Sequence, residues 1–181
     1  MAVLVRKEKE EDYGEVEKLV ELAFADIEYS SKDEHHLVNK LRNSTSFLPD
    51  LSLVAVLDNK IVGHILLTKN IINLGDEEIE SLSLAPVSVL PEYQKKGVGS
   101  VMIKTSLNKA RELGFNSVIV MGHSEYYPRF GFEPSKKFNI NCPDGIPQNV
   151  FMALELVPNA LSAIIKSARG GDVVYPPEFG L

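Results

Sequence analysis

A mixed α/β fold is what this 181-residue sequence predicts, on three observations. Val16, Leu19, Val20, Ala23 and Phe24 recur at i, i+3, i+4, i+7 and i+8, the spacing of one apolar helix face. Two apolar runs, 51–57 and 61–67, are separated by Asp58-Asn59-Lys60, which is turn chemistry, so they form a hairpin. Residues 79–89 read as a strand, the pattern from Val98 as a helix and Ser117–Met121 as a buried strand, and together they make a βαβ unit.

In chain order, Val3-Leu4-Val5 gives a short first strand, and Asp12 stands where a cap is needed before the Val16 face. A second, shorter helical pattern covers 33–41, and Ser46-Phe47-Leu48-Pro49-Asp50 then interrupts the chain before the hairpin. Gly75-Asp76-Glu77-Glu78 is a further turn. Pro86 has no N–H for a ladder, so the 79–89 strand must hold an edge position, a bulge or a splay there. Val101, Met102, Leu107, Ala110 and Leu113 mark the next helix, which Gly114 stops. After a brief 125–130 segment come Gly131-Phe132, a proline-rich connection and a strand at 151–156. The tail, with Gly170-Gly171 and Pro176-Pro177, reads as loop with one short strand near Val173. No internal repeat, low-complexity tract or linker breaks the pattern, which makes 1–181 a single domain.

Composition narrows the function. Hydrophobic residues are 44% and charged residues 24%, with 12 Gly and 10 Pro dispersed along the chain, so neither wholesale disorder nor a collagen-like repeat fits. The single cysteine, Cys142, excludes an internal disulfide or a cysteine-rich zinc module and suits a reducing compartment, so a cytoplasmic location is expected. No apolar run approaches the ~20 residues that a bilayer requires, and no membrane association is expected. With 19 Lys plus Arg against 25 Asp plus Glu, the formal charge of -6 argues against nucleic acid as a partner and favours cationic substrates.

The most informative stretch is Leu90-Pro91-Glu92-Tyr93-Gln94-Lys95-Lys96-Gly97-Val98-Gly99-Ser100, between a strand and a helix. Glycines at 97 and 99 let backbone approach a ligand closely, and a helix start offers unpaired N–H groups at the positive end of its dipole. Such a loop suits a pyrophosphate, and Lys95 and Lys96 add charge beside it. A dinucleotide fingerprint needs a third glycine where Met102 stands, and a P-loop needs Gly-Lys-Ser/Thr, which never occurs. Taken alone, Gly97-x-Gly99 is equally a tight turn into a helix.

The wider pattern is more specific. Gln94-x-x-Gly97-x-Gly99 after an apolar strand, then a helix, a second strand and Tyr127-x-x-x-Gly131-Phe132, resembles the GNAT superfamily of acetyl-CoA-dependent N-acetyltransferases over roughly 79–132. The resemblance implies a central, mostly antiparallel sheet flanked by helices, whose strands ending at Val89 and near Met121 splay apart around acetyl-CoA. It implies that backbone N–H groups over Lys95, Lys96, Gly97, Val98, Gly99 and Ser100 bind the pyrophosphate, with Val87 and Val89 beside the pantetheine arm and thioester. The implied partners are acetyl-CoA as co-substrate and an amine acceptor, with no metal; the sequence leaves a homodimer open.

The implied reaction moves an acetyl group to a primary amine of a small molecule or a peptide. A lysine-like amine, with a pKa of about 10.4, costs roughly 4.6 kcal/mol to hold neutral at pH 7, so a base or water relay is needed. The resemblance makes Tyr127 the acid for the departing thiolate, against packing on Phe130 and Phe132; Tyr126 beside it is structural. Glu80 is the nearest carboxylate on the strand before the loop, set against its reading as a solvated charge in the acidic 76–80 run, while Ser83 fills the place where relatives commonly put a Glu. His123 and Glu125 are the other base candidates. The family's Asn-x-x-Ala before the tyrosine is replaced by Val120 and His123, which implies a shortened helix there. His35 and His36 lie about 100° apart on a helix and do not share a metal, and His64 reads as a surface or packed histidine. No Gly-x-Ser-x-Gly elbow occurs. The competing function is a non-catalytic acetyl-CoA or CoA sensor; a toxin-like enzyme acting on charged transfer RNA is disfavoured by the acidic balance.

Overall fold

The computed structural model describes residues 2–28 and 30–181. Its elements run β1 (Leu4–Lys7), α1 (Tyr13–Phe24), α2 (Glu34–Arg42), β2 (Phe47–Leu57), β3 (Lys60–Asn73), β4 (Glu78–Val89), α3 (Val98–Glu112), β5 (Ser117–Met121), β6 (Glu133–Pro134), β7 (Ile140–Asn141), β8 (Phe151–Glu155), α4 (Ser162–Lys166) and β9 (Gly171–Val174). The nine described strands form one sheet of order β1-β2-β3-β4-β5-β8-β6, with β9 against β3 and β7. Parallel pairing joins β4 to β5 and β7 to β9, while β1–β2, β2–β3, β3–β9, β5–β8 and β6–β8 are antiparallel. This is the mixed, mostly antiparallel sheet with flanking helices that the sequence predicts. The chain gathers into two compact units, 1–68 with 85–109 and 69–84 with 110–181, and β3 and β4 contribute to both.

In the first unit the α1 face packs as its period requires. Val16, Leu19 and Val20 are buried with Val38 of α2, Val54 of β2, Ile61 of β3 and Leu90. Each such side chain contributes roughly 1.5–3 kcal/mol on leaving water. Asp12 precedes α1 but does not cap it with its side chain. Its carboxylate accepts instead from Arg6 Nη1 and Nη2, at 2.7 and 3.0 Å, and reaches back to the Lys9 N–H at 2.8 Å, so it caps the 3-10 turn at 10–12 that leads into α1 rather than α1's own first amides. The 46–50 interruption is also revised: β2 begins at Phe47 and runs through Pro49. Its register passes from Phe47 opposite Thr68 to Ser52 opposite Leu66, five residues against two, so Pro49 sits inside a bulge where no ladder bond is lost.

The same unit buries a charged cluster. Glu8, Arg42, Ser52 and His64 come from four separate segments and are all hidden from solvent. Arg42 also reaches Glu17 at 3.1 Å and lies 4.0 Å from the centroid of the Tyr13 ring. His64 is thus a packed histidine, with Nε2 3.1 Å from Ser52 Oγ.

In the second unit β5 pairs with β8 from Ser117 opposite Glu155 to Met121 opposite Phe151, and Ile72, Ile119, Phe151 and Ala153 pack with Phe138, Ile140, Leu161 and Ile164. The last helix residues supply a smaller correction. Met102, Leu107 and Ala110 of α3 are buried, but Val101 and Leu113 are 40% and 41% exposed. Val98, Met102, Ile103, Ser106, Leu107 and Ala110 make the buried stripe; Val101 flanks it, and Leu113 follows the last helical residue. Among the described residues no helix is long and apolar enough to cross a membrane.

Candidate active site

The loop after β4 belongs to the first unit. Val87 and Val89 are partly exposed and alternate with buried Pro86, Ser88 and Leu90, as a pleated strand requires. The Ala85–Pro86 peptide is cis. The Leu90 N–H donates to the Val62 carbonyl at 3.0 Å, which ends the strand, and Pro91–Tyr93 forms a single 3-10 turn. Lys95 and Gly97 then adopt left-handed backbone, φ +59° and +86°. A Cβ at Gly97 would meet nothing within 4 Å, so glycine there answers the backbone conformation and leaves open space beside it.

Val98 anchors the start of α3 with a side chain 1% exposed, and the Val101 N–H donates to the Gly97 carbonyl at 3.1 Å. The N–H groups of Val98, Gly99 and Ser100 therefore lie in the first turn, where a helix offers no internal acceptor and its dipole is positive. Gln94 Nε2 donates to the Val89 carbonyl at 3.0 Å, so this side chain ties the loop to the strand end. Lys95 and Lys96 are exposed. The result is a run of amide donors, two ammonium groups and vacant space, which is chemistry for a phosphorylated ligand.

The remaining candidates belong to the second unit. Tyr127 opens a 3-10 turn, Tyr127–Phe130, that Gly131 closes at φ +96°. The shortened helix expected before it is a simple turn at 124–126. The Tyr127 ring is buried, edge-on to Tyr126 and Phe132 with centroids at 5.2 and 5.7 Å, whereas Phe130 packs on Tyr126. Burial, and secondarily Tyr126, pushes the Tyr127 hydroxyl above the ordinary tyrosine range, so it stays an O–H donor across physiological pH. Its N–H and that of Tyr126 reach the His123 carbonyl, while the His123 and Glu125 side chains are exposed.

Glu80 is also exposed, with Lys69 Nζ 3.7 Å from Oε2. Three residues on, Ser83 is buried and accepts from Asn70 Nδ2 at 2.6 Å. Sequence reading noted Ser83 but not Asn70, whose partner stands 13 residues away on the neighbouring strand. Nor did any local pattern announce Glu8 and Arg42, which meet only through folding. Among the described residues no group of three or more His, Cys, Asp or Glu is placed to hold a metal.

Comparison with known proteins agrees with this geometry. Residues 4–135 match the acetyltransferase (GNAT) domain model. The uncharacterized N-acetyltransferase YjhQ of Escherichia coli is 44% identical over 101 residues, 56% of this chain and 56% of that protein, so the chain matches little more than half of that relative's length. The crystal structure of a GNAT family acetyltransferase from Brucella melitensis in complex with acetyl-CoA is 30% identical, with a TM-score of 0.77 over 98% of each chain. The Escherichia coli N-acetyltransferase YhbS, solved in complex with CoA, shares the fold at a TM-score of 0.81 and 24% identity, covering 99% of this chain and 92% of its own. The chain accordingly belongs to the acetyltransferase (GNAT) domain family of acyltransferases.

Proposed function

We propose that this protein is an N-acetyltransferase that moves the acetyl group of acetyl-CoA to a primary amine of a small molecule or a peptide, with 1–181 acting as one domain in the cytoplasm. The observation that carries the reading is the left-handed backbone at Lys95 and Gly97 leading into the open first turn of α3. Pyrophosphate oxygens accept from the N–H groups of Lys95, Lys96, Gly97, Val98, Gly99 and Ser100, and Gln94 fixes the loop. Val87 and Val89 offer backbone groups to the pantetheine arm and thioester carbonyl, which stabilise the developing oxyanion.

Tyr127 is the acid for the departing CoA thiolate. Burial raises its pKa further above that of a thiol, so the phenol stays protonated and stabilises the departing sulfur chiefly by donating a hydrogen bond. The acceptor amine attacks once neutral; Glu80 is the first candidate to take its proton and His123 the second, with Glu125 behind them. The amine nitrogen forms the new C–N bond, the C–S bond breaks, and the free thiol of CoA leaves.

A thiol-release assay with acetyl-CoA across polyamines, amino acids, aminoglycosides and peptides tests the proposal. Acceptor-dependent release supports it and names the acceptor class. Tight acetyl-CoA binding with no release from any acceptor supports the sensor alternative, which the exposure of Glu80 beside Lys69 favours. Absence of acetyl-CoA binding overturns both.

A further inference from the structure

We propose that Asn70, held by Ser83, is the contact for the attacking nitrogen, and that this neutral pair takes the nitrogen unprotonated, so that the protein acetylates weakly basic amines, α-amino groups ahead of lysine-type ε-amines. The inference rests on the acetyltransferase reading above and names its acceptor class.

The pair stands at a defined place in the second unit. The β4–β5 ladder sets Leu82 opposite Val118 and Ser83 opposite Ile119, and Ser83 is its last β4 rung. Asn70 Nδ2 donates to Ser83 Oγ at 2.6 Å. That bond fixes the amide and leaves Oδ1, which is buried and has no donor among the described residues. A buried carbonyl oxygen without a donor is rare, because it has given up the hydrogen bonds that water supplied. An N–H brought to this spot is the missing partner.

The surroundings are uncharged. Among the described residues, the buried polar side chains of the second unit, besides the Tyr127 phenol, are Asn70, Ser81, Ser83, Ser117 and Ser135, and none of the five is ionisable. Ser81 Oγ lies 2.7 Å from Ser117 Oγ. Side chains alternate along a strand, so Glu80 stands on the face of β4 opposite to Ser83, and Lys69 on the face of β3 opposite to Asn70. Glu155, across from Ser117 on β8, accepts from the Leu161 N–H at 2.9 Å. His123 and Glu125 are exposed, while Cys142 and Tyr175 pack partly buried on the unit's core.

The acceptor class follows from this chemistry. Asn70 and Ser83 are 3% and 2% exposed, so a nitrogen bound there is stripped of water, which disfavours its ammonium form. The neutral nitrogen donates an N–H to Oδ1 and keeps its lone pair for the thioester carbon. The C–N bond forms, the C–S bond breaks, and the proton that the nitrogen sheds ends on the CoA sulfur, so the neutral route needs no net base. At pH 7 an α-amino group, with a pKa of about 8, is neutral about one time in ten; a lysine-type amine, at about 10.4, is neutral about once in 2,500.

Two isomers test this on the full chain: Nε-acetyl-lysinamide, whose free amine is the α-amino group, and Nα-acetyl-lysinamide, whose free amine is the ε-amino group. At pH 7 kcat/KM should favour the first by about tenfold or more. For every acceptor that thiol release identifies, kcat/KM should rise with pH to a single break at the acceptor's own pKa. Asn70→Ala should raise the acceptor KM about tenfold while calorimetric acetyl-CoA affinity holds. Ser83→Ala should do the same to a lesser extent, and Asn70→Asp should add a lower break by supplying a base. An ε-amine used equally well, a lower break in the parent that stays fixed across acceptors, or a parental acceptor KM in folded Asn70→Ala overturns the pair's role and leaves the acetyltransferase reading standing. Release from no amine overturns both.

Discussion

Arg42 Nη2 lies 2.5 Å from Glu8 Oε1, and the two side chains are 2% and 1% exposed. Burial alone would raise the Glu8 carboxyl. His64, with Nε2 3.6 Å away, and donors on Arg42 and Ser52 outweigh it and hold the group at about 2, against an ordinary 4.5. A depressed folded-state pKa gives stability that is present above the unfolded value and lost as pH falls toward the folded one. The melting temperature should therefore fall between about pH 4.5 and pH 2. Asp12, held low chiefly by Arg6, contributes in the same direction. Glu8→Gln should lower stability near neutrality by about 1.5–3 kcal/mol, since it weakens charge-assisted hydrogen bonds and leaves the buried Arg42 guanidinium with Glu17 as its carboxylate partner, and should flatten that acid limb. Urea denaturation at pH 7 and 3.5 measures both; a variant with the parental pH slope would show that Glu8 does not set it.

Gly122 has no room for a side chain. A Cβ there would fall inside the Tyr127 ring, against Cε2, Cδ2 and Cζ. That ring is wedged beside Tyr126 and Phe132 and is not a flexible tip. Gly122→Ala should cost about 1–3 kcal/mol as overpacking and displace Tyr127, with turnover falling further than stability. Full turnover in a stable Gly122→Ala protein would mean that the position of Tyr127 is immaterial to the reaction.

The loop can be tested by bulk. Gly99→Val places a β-branched side chain in the first turn of α3, where the pyrophosphate would lie against the backbone. Acetyl-CoA affinity should fall tenfold or more, on the order of 1.4 kcal/mol, with little change in melting temperature. Unchanged calorimetric affinity in the folded variant would remove the pyrophosphate from this loop.

Tyr127→Phe removes one hydroxyl and keeps the ring contacts with Tyr126 and Phe132. Stability and acetyl-CoA affinity should survive, while turnover falls by about 10²- to 10⁴-fold, the usual range for a general acid. Steady-state kinetics beside calorimetry separates the two. Parental turnover would assign Tyr127 to packing.

The sequence by itself determined the elements and the loop. The α1 face, the β2–β3 hairpin and the β4-α3-β5 unit follow from periods of 3.6 and 2, which are local consequences of backbone geometry. Gly97 and Gly99 announce a close-approach loop because backbone freedom is a property of the residue itself. Beyond the exposed Val101 and Leu113, local signals gave an incomplete reading at Pro49 and Asp12, and at both the cause is tertiary. Pro49 looks like a strand breaker, yet it rides in a bulge set by the register with β3; Asp12 does hold the N-cap position of α1, yet its carboxylate turns to Arg6 of β1 and the Lys9 N–H instead of the helix's own amides. Only the tertiary structure decided that Glu8, Arg42, Ser52 and His64 meet in one buried cluster, that Asn70 holds Ser83, and that Lys60 and Lys96 share the Tyr93 ring. Electrostatic and hydrogen-bond partners are chosen by distance in space. A one-dimensional period carries the direction in which a side chain points, but not the identity of what it meets there.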